Sequence, residues 1–303
     1  MSGKRVTSAP GASIEQFTMI AEAVSEKVIR SYSTSFGLAT RLLGTRHRRH
    51  VRNIYALVRV ADEIVDGVAS QAGLSIAEQK DALDEYVERT HLALRTGYSS
   101  DLVVHAFART SRQAGIDEDL TTPFFASMRA DLVDADEDHV VFDRTKHAAY
   151  VYGSAEVVGL MCLRVFTRDS ILTDAERHTL EHGARRLGAA FQNINFLRDL
   201  GDDTARLGRS YLGTGKALSD EDLRFWIAEI RSQLSDAAQA IPLLPYDARA
   251  AVRSALGLFT NLTKRIARTP ASELSDTRIR VPNPIKAALV CSAIFRTLAE
   301  RRR

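Results

Sequence analysis

Residues Gly188 to Leu212 read GAAFQNINFLRDLGDDTARLGRSYL, and the rest of the chain is understood from them. Gln192, Asn195, Asp199 and Asp203 are spaced so that a helix carries them on one stripe. The residues between them, Phe191, Ile194, Phe196, Leu197 and Leu200, are apolar, which predicts a buried helix rather than a solvated one. Carboxylates in such a place are costly unless paired, protonated or bound to a cation. Two aspartates one turn apart are common on ordinary wet helix faces. Here the amides and the apolar flanks favour a site.

A second acidic stretch strengthens the case. Tyr55 to Gly67 reads YALVRVADEIVDG, with Asp62 and Asp66 one helical turn apart and Glu63 beside Asp62. Its flanks, Ile54, Leu57, Val58, Ala61, Ile64 and Val65, are apolar as well. Two such helices facing each other across a cavity could hold divalent ions, because hard cations take oxygen ligands. The substrate suited to that arrangement is a diphosphate, whose charge the metals neutralise as it leaves.

Both stretches resemble the two aspartate-rich signatures of the squalene and phytoene synthase family of head-to-head prenyltransferases. The resemblance runs through nearly the whole chain. It includes YSTSF at Tyr32 to Phe36, MRADL at Met128 to Leu132, YVYGSAEVVGLM at Tyr150 to Met161 and RIRVP at Arg278 to Pro282. Bacterial phytoene synthases of the actinobacterial type are the members it most resembles. The resemblance implies a helical bundle of the isoprenoid-synthase kind around a central cavity. It implies Mg²⁺, with Mn²⁺ as the alternative ion, held by Asp62, Glu63, Asp66, Asn195, Asp199 and Asp203. The implied substrate is geranylgeranyl diphosphate, two molecules of which join through a cyclopropylcarbinyl diphosphate to give phytoene. No nicotinamide is expected.

The other expected roles follow the same motifs. Ser33 and Ser35 are candidate diphosphate ligands, although hydroxyls at a helix end also serve as plain caps. Many members of the family have histidine and lysine where this chain has Tyr32 and Thr34. Arg59, Arg198, Arg206 and Arg209 could make up that charge, since guanidinium groups bind phosphate oxygens bidentately. Gln192 and Asn195 would orient metal-bound water or phosphate, and Tyr150 and Tyr211 would donate hydrogen bonds to the leaving group. Ala155, Val158 and Gly159 are expected to line a prenyl tunnel, and Phe36, Leu160, Phe191 and Leu197 read equally as further wall residues or as core. Related proteins usually have glycine at the place of Glu156, and a glutamate cannot sit unpaired in a dry tunnel, so it should face elsewhere.

Composition agrees with a soluble globular enzyme. At 45% hydrophobic and 26% charged, 303 residues can bury a large core. A net charge of +3 is too small to argue for nucleic acid. Cys162 and Cys291 lie in apolar runs and read as reduced, buried thiols of a cytosolic protein. The N-terminus lacks the apolar core of a signal peptide, and the longest apolar run, Ala287 to Phe295, is too short to span a bilayer.

Helical spacing of apolar residues dominates, and no alternating strand pattern stands out. Capping boxes are expected at Ser13 with Gln16, Ser75 with Glu78 and Thr173 with Glu176, with a looser one at Ser219 with Asp222. Residues 1–12 read as a disordered polar arm and 13–303 as one all-α domain. The basic run RHRRH, Arg46 to His50, reads as a solvated loop or a helix start. In the C-terminal segment, Ile285, Leu289, Ser292, Phe295 and Ala299 form one stripe beside Lys286, Arg296 and Arg301 to Arg303. That stripe either packs on the core or touches a membrane surface transiently.

Three alternatives share parts of this pattern. A squalene synthase needs a nicotinamide donor, and a dehydrosqualene synthase, using farnesyl diphosphate, differs only in tunnel depth. A non-catalytic assembly factor of the same fold would be expected to have lost some of the carboxylates. Oligomeric state is not legible.

Overall fold

The computed structural model describes residues 13–33, 35–132, 143–200, 218–274, 276 and 278–300, the side chains of residues 35 and 36 excepted. Among the described residues there are helices and no strands, as the periodicity predicts. They are α1 (Ile14–Tyr32), α2 (Ser35–Thr40), α3 (Thr45–Asp66), α4 (Val68–Gln71), α5 (Ile76–Thr96), α6 (Leu102–Ala114) and α7 (Glu118–Ala130). After them come α8 (Arg144–Val151), a π-helical turn (Tyr152–Glu156), α9 (Val157–Thr167) and α10 (Asp174–Arg198). The last four are α11 (Asp220–Ala240), α12 (Tyr246–Ile266), α13 (Ala271–Leu274) and α14 (Asn283–Glu300). Residues 1–12, the expected arm, lie outside the described residues.

Local chemistry sets the helix starts. Ser75 with Glu78 and Thr173 with Glu176 form complete capping boxes, and so does Ser219 with Asp222. Ser13 accepts the Gln16 amide, the single-sided form of the cap. Around the middle of the bundle stand α3, α9 and α10. Packed on α3 are α1 and α6, α11 runs along α10, and α14 covers α12. Two apolar clusters result, one centred on α3, α6, α7 and α9, the other on α10, α11 and α12.

The continuous rod Arg144–Thr167, α8 through α9, is long and apolar enough to cross a membrane by length and composition alone. It overtakes Ala287 to Phe295 as the longest apolar segment. It packs against α7 and α10, as the inner helix of a bundle does.

The basic run Arg46 to His50 is a helix start, but it is not solvated throughout. It forms the first turns of α3, where Gly44 offers no side-chain cap and no acidic residue faces the helix dipole. Asp247, in the first turn of α12, fills that role from across the chain. The Gly44 amide donates to the Asp247 carbonyl at 2.9 Å, and Arg46 Nε donates to its carboxylate at 2.8 Å. His47 Nε2 lies 3.2 Å from the other carboxylate oxygen. His47 and His50 are buried, and burial pushes His50 down to about 4.

Two further expectations change. Cys291 is exposed on α14, because α14 buries only the face carrying Ala293 and Thr297. Cys162 opens onto an internal cavity rather than bulk water, and burial pushes its thiol up to about 12. The C-terminal stripe is split between two environments. Ile285 and Leu289 pack on the core, whereas Ser292, Phe295 and Ala299 are exposed. Arg301 to Arg303 lie outside the described residues.

The clamp on α3 makes a pH signature. Hydrogen bonding from Arg46 holds the Asp247 carboxyl down at about 2, against an ordinary 3.8. The unfolded chain therefore binds this proton more tightly, and the stabilisation is complete above about pH 4 and lost as pH falls towards 2. Its size is about 1 kcal/mol, since the side chain is 35% exposed. Acid titration of urea-unfolding midpoints should show Asp247→Asn less stable than the native chain at neutral pH. The two should converge near pH 2.

Candidate active site

An apolar cavity of about 320 Å³ runs between α3, the π turn with α9, α10 and α12. Along α10 its wall extends from Leu180 to Asn195, which at helical rise is about 22 Å. Ala155, Val158 and Gly159 all lie on this wall, together with Phe191, Gln192 and Asn195. Phe191 is stacked on Phe259 with ring centroids 3.7 Å apart. Leu160 and Leu197 do not line it. Leu160 lies past Val158 and Gly159 on the turning helix and faces a separate surface cleft, while Leu197 is fully buried against the second apolar cluster. The side chain of Phe36 is outside the described residues.

Helix register leads from this cavity to the acids. On α3, Tyr55 and Val58 are on the wall, and Asp62 follows Val58 by one turn on the same face. On α10, Gln192 and Asn195 are on the wall, and Asp199 follows Asn195 by one turn. Both carboxylate helices thus leave the cavity at the same end. Arg59 donates to Asp62 and Glu63 at once and lies over the Tyr32 ring, 4.5 Å from its centroid. The second oxygen of Glu63 accepts the Val68 amide at 3.1 Å, so Glu63 also caps α4. Asp199 is bonded by Arg198 and lies 3.3 Å from Arg278 Nε, which ties the RIRVP motif to the acidic helix.

Burial pushes the Asp62 carboxyl up to about 6; Arg59 opposes the shift, and Asp66 and Glu63 add to it. The donor set of carboxylate and amide oxygens at this end fits a hard divalent cation in kind. Among the described residues no three His, Cys, Asp or Glu side chains are gathered closely enough to hold one. Asp203, Arg206, Arg209 and Tyr211 lie outside the described residues.

Other residues near this end have specific partners. Tyr150 is buried and is not on the cavity wall. Its hydroxyl donates to Asp131, 2.8 and 3.0 Å from the two oxygens, and Ser127 Oγ donates to its carbonyl at 3.1 Å. Glu156 does face away from the cavity: Arg185 Nε donates to it at 2.7 Å while lying over the Tyr152 ring. Ser33 is the C-cap residue of α1 and is hydrogen-bonded to Tyr55, whose hydroxyl burial pushes upward.

With this geometry in view the comparisons are decisive. A family model described as squalene/phytoene synthase matches residues 29–222, well over half of the chain. The chain belongs to that family. It is 29% identical to phytoene synthase 3, chloroplastic, of Zea mays over 289 residues, covering 90% of this chain and 65% of the maize protein. It therefore spans a little under two thirds of that relative. It is 28% identical to the 15-cis-phytoene synthase of Synechocystis over 91% of this chain and 84% of the relative. To the 4,4'-diapophytoene synthase of Staphylococcus haemolyticus it is 29% identical over 69% of this chain and 68% of the relative. Among solved structures, a dehydrosqualene synthase with bound ligand superposes with a TM-score of 0.70 at 23% identity, over 94% of this chain and 99% of that one. At that identity the likeness establishes the squalene/phytoene synthase fold.

Sequence reasoning passed over Tyr55 and Asp131, although each had a signal. Tyr55 precedes Asp62 by two helical turns, which puts it on the same face. Asp131 is the one acid in MRADL, followed by Leu132 and preceded by a mostly buried helix.

The cavity wall depends on close backbone contact. A Cβ on Gly188 would come 2.5 Å from the Ala155 carbonyl oxygen and 3.0 Å from Glu156 Cα. One on Gly159 would meet the Ala184 carbonyl at 2.5 Å. Neither contact is with a flexible side chain, so the helices themselves would have to separate. Gly188→Ala should cost about 1–3 kcal/mol in denaturant unfolding. Gly257, in α12, has only Leu289 at 3.5 Å in front of it. Gly257→Ala should be neutral or stabilising by up to about 1 kcal/mol.

Proposed function

We propose that this chain is a phytoene synthase, joining two molecules of geranylgeranyl diphosphate head to head in the first step of carotenoid biosynthesis. The observation that carries the reading is the pairing of an almost wholly apolar cavity with carboxylates and arginines at one end of it. A prenyl diphosphate has that same division, with an apolar chain and a polyanionic head.

Asp62, Glu63, Asp66, Asn195, Asp199 and Asp203 would hold Mg²⁺, or Mn²⁺ in its place. The ion, when bound, contributes the positive charge that makes diphosphate a good leaving group. Arg59, Arg198 and Arg209 bind phosphate oxygens, with Ser33 and Ser35 as hydroxyl donors. To do so Arg59 exchanges part of its hold on Asp62 and Glu63 for phosphate. Gln192 and Asn195 orient the head group where the wall turns polar. Tyr211 donates to the departing diphosphate; Tyr150, expected in the same role, gives its single hydroxyl proton to Asp131 and instead fixes that carboxylate. Apolar side chains along the tunnel exclude water, which would otherwise trap each carbocation as an alcohol. The first allylic cation is attacked by the double bond of the second donor, and loss of a proton to the released diphosphate closes the ring of the cyclopropylcarbinyl diphosphate. Ionisation, rearrangement and loss of a proton then give phytoene.

Contact with a membrane surface is part of the same proposal, because substrate and product are both lipids. The protein is then cytoplasmic and peripheral, with exposed Phe295 and Leu298 on α14 as the contact. A second reading, dehydrosqualene synthesis from farnesyl diphosphate, has the named relatives among the diapophytoene and dehydrosqualene synthases in its favour.

Two experiments test the reading. Asp62→Asn and Asp199→Asn should each lower turnover by at least about 100-fold with the fold retained by circular dichroism, as loss of charge-stabilising groups does. A chelator should silence the native protein. Near-native rates for both variants at saturating Mg²⁺ would remove the metal site from these helices.

The donor is decided by competition between geranylgeranyl and farnesyl diphosphates, with products separated by chromatography. The longer donor should prevail in the native protein, and Ala155→Phe should shift the product towards the shorter chain, because an overpacked wall is not readily relieved. Native preference for farnesyl diphosphate establishes the second reading instead.

A further inference from the structure

At the end of the cavity remote from the acids, Leu43, Phe166 and Leu244 are buried wall residues. They come from three distant parts of the chain, and each is attached to one electrostatic cluster. Leu43 immediately precedes Gly44, whose amide donates to the Asp247 carbonyl. Leu244 stands three residues before Asp247, separated from it by Pro245 and Tyr246. Phe166 meets the His47 ring edge-on, with centroids 5.5 Å apart, and His47 Nε2 is the atom facing Asp247.

Arginines fix the same three segments by their carbonyls. Arg48 donates to the Leu43 carbonyl at 2.8 Å, Arg249 to that of Leu244 at 2.7 Å, and Arg168 to that of Val165, beside Phe166, at 3.1 Å. Arg168 also donates to the Arg46 carbonyl at 3.0 Å. Arg46 closes the ring by reaching both Asp247 and Asp169. None of the polar members lines the cavity.

We propose that Asp247, with Arg46 and His47, is a positioning group that fixes the depth of the cavity and thereby the length of prenyl donor accepted. This rests on the cavity being the prenyl tunnel. The floor is an assembly of side chains from the α2–α3 turn, the end of α9 and the α11–α12 turn. No covalent link or single helix spans these three. Without the carboxylate, the α2–α3 turn and the start of α12 lose the Arg46 and His47 contacts and are held by the Gly44–Asp247 backbone bond alone, so the floor can recede. Depth discriminates between donors differing by one isoprene unit, while chemistry at the other end is untouched.

The test compares Asp247→Asn and Arg46→Met with the native protein, using geranylgeranyl diphosphate and the next longer homologue, farnesylgeranyl diphosphate, as separate donors. Ser219→Ala, which removes a capping box remote from the floor, serves as a control for general destabilisation. The ratio of kcat/KM for the longer donor to that for the shorter should rise by on the order of 10-fold in both clamp variants. The rise should appear mainly in KM for the longer donor and be absent in the control. An unchanged ratio in Arg46→Met and Asp247→Asn, or an equal rise in Ser219→Ala, overturns the proposal. Absence of turnover with any donor in the native protein would instead overturn the reading of the tunnel. If Asp247→Asn does not fold, the milder Arg46→Met decides the matter alone.

Discussion

Carboxylates beside a dry cavity are the constraint on which this molecule turns. Asp62 lies where burial already favours its neutral form, next to Glu63 and on the same helix as Asp66. Helices that were free to move apart would let water in and relieve the cost. The bundle prevents this by bringing backbone against backbone at Gly159 with Ala184 and at Gly188 with Ala155. Those contacts hold α9 and α10 together along the cavity wall, and Arg59, Arg198 and Arg278 are the groups paired with the half-buried carboxylates. Charged end and apolar wall are therefore consequences of one packing arrangement.

Much of this could be read from spacing. Helical periodicity gave the fold class, and the acidic stripes placed Asp62 and Asp199 on the faces that also line the cavity. The polar start of α10 and its capping box were equally local. What spacing does not carry is the identity of the neighbour across space. Tyr150 with Asp131, Arg278 with Asp199 and Arg46 with Asp247 join residues that no periodicity connects. Leu160 failed for a related reason. It belongs to the same apolar run as Val158, but a helix advances by about 100° per residue, and two positions on it already faces another surface. The run Arg46 to His50 is a helix start, as its pattern allowed, but its charge hid two histidines that the fold buries.

Glu156 shows how a departure from the family pattern is absorbed. The resemblance leads one to expect glycine there, and this chain has a side chain that could not face an apolar cavity unpaired. The π turn Tyr152–Glu156 holds more residues per turn than an α-helix, and π turns are often found beside functional sites. In this one Ser154 and Ala155 are on the wall while Glu156 points outward to Arg185. Close approach between the two helices still requires a missing side chain somewhere, and Gly188 on α10 meets that need, its absent Cβ lying 3.0 Å from Glu156 Cα. An outward ion pair and an inward glycine thus solve one problem together. Gly188 is consequently less replaceable than its place in a run of small residues, GAA, would indicate, since Ala189 and Ala190 pack elsewhere and tolerate a Cβ by definition.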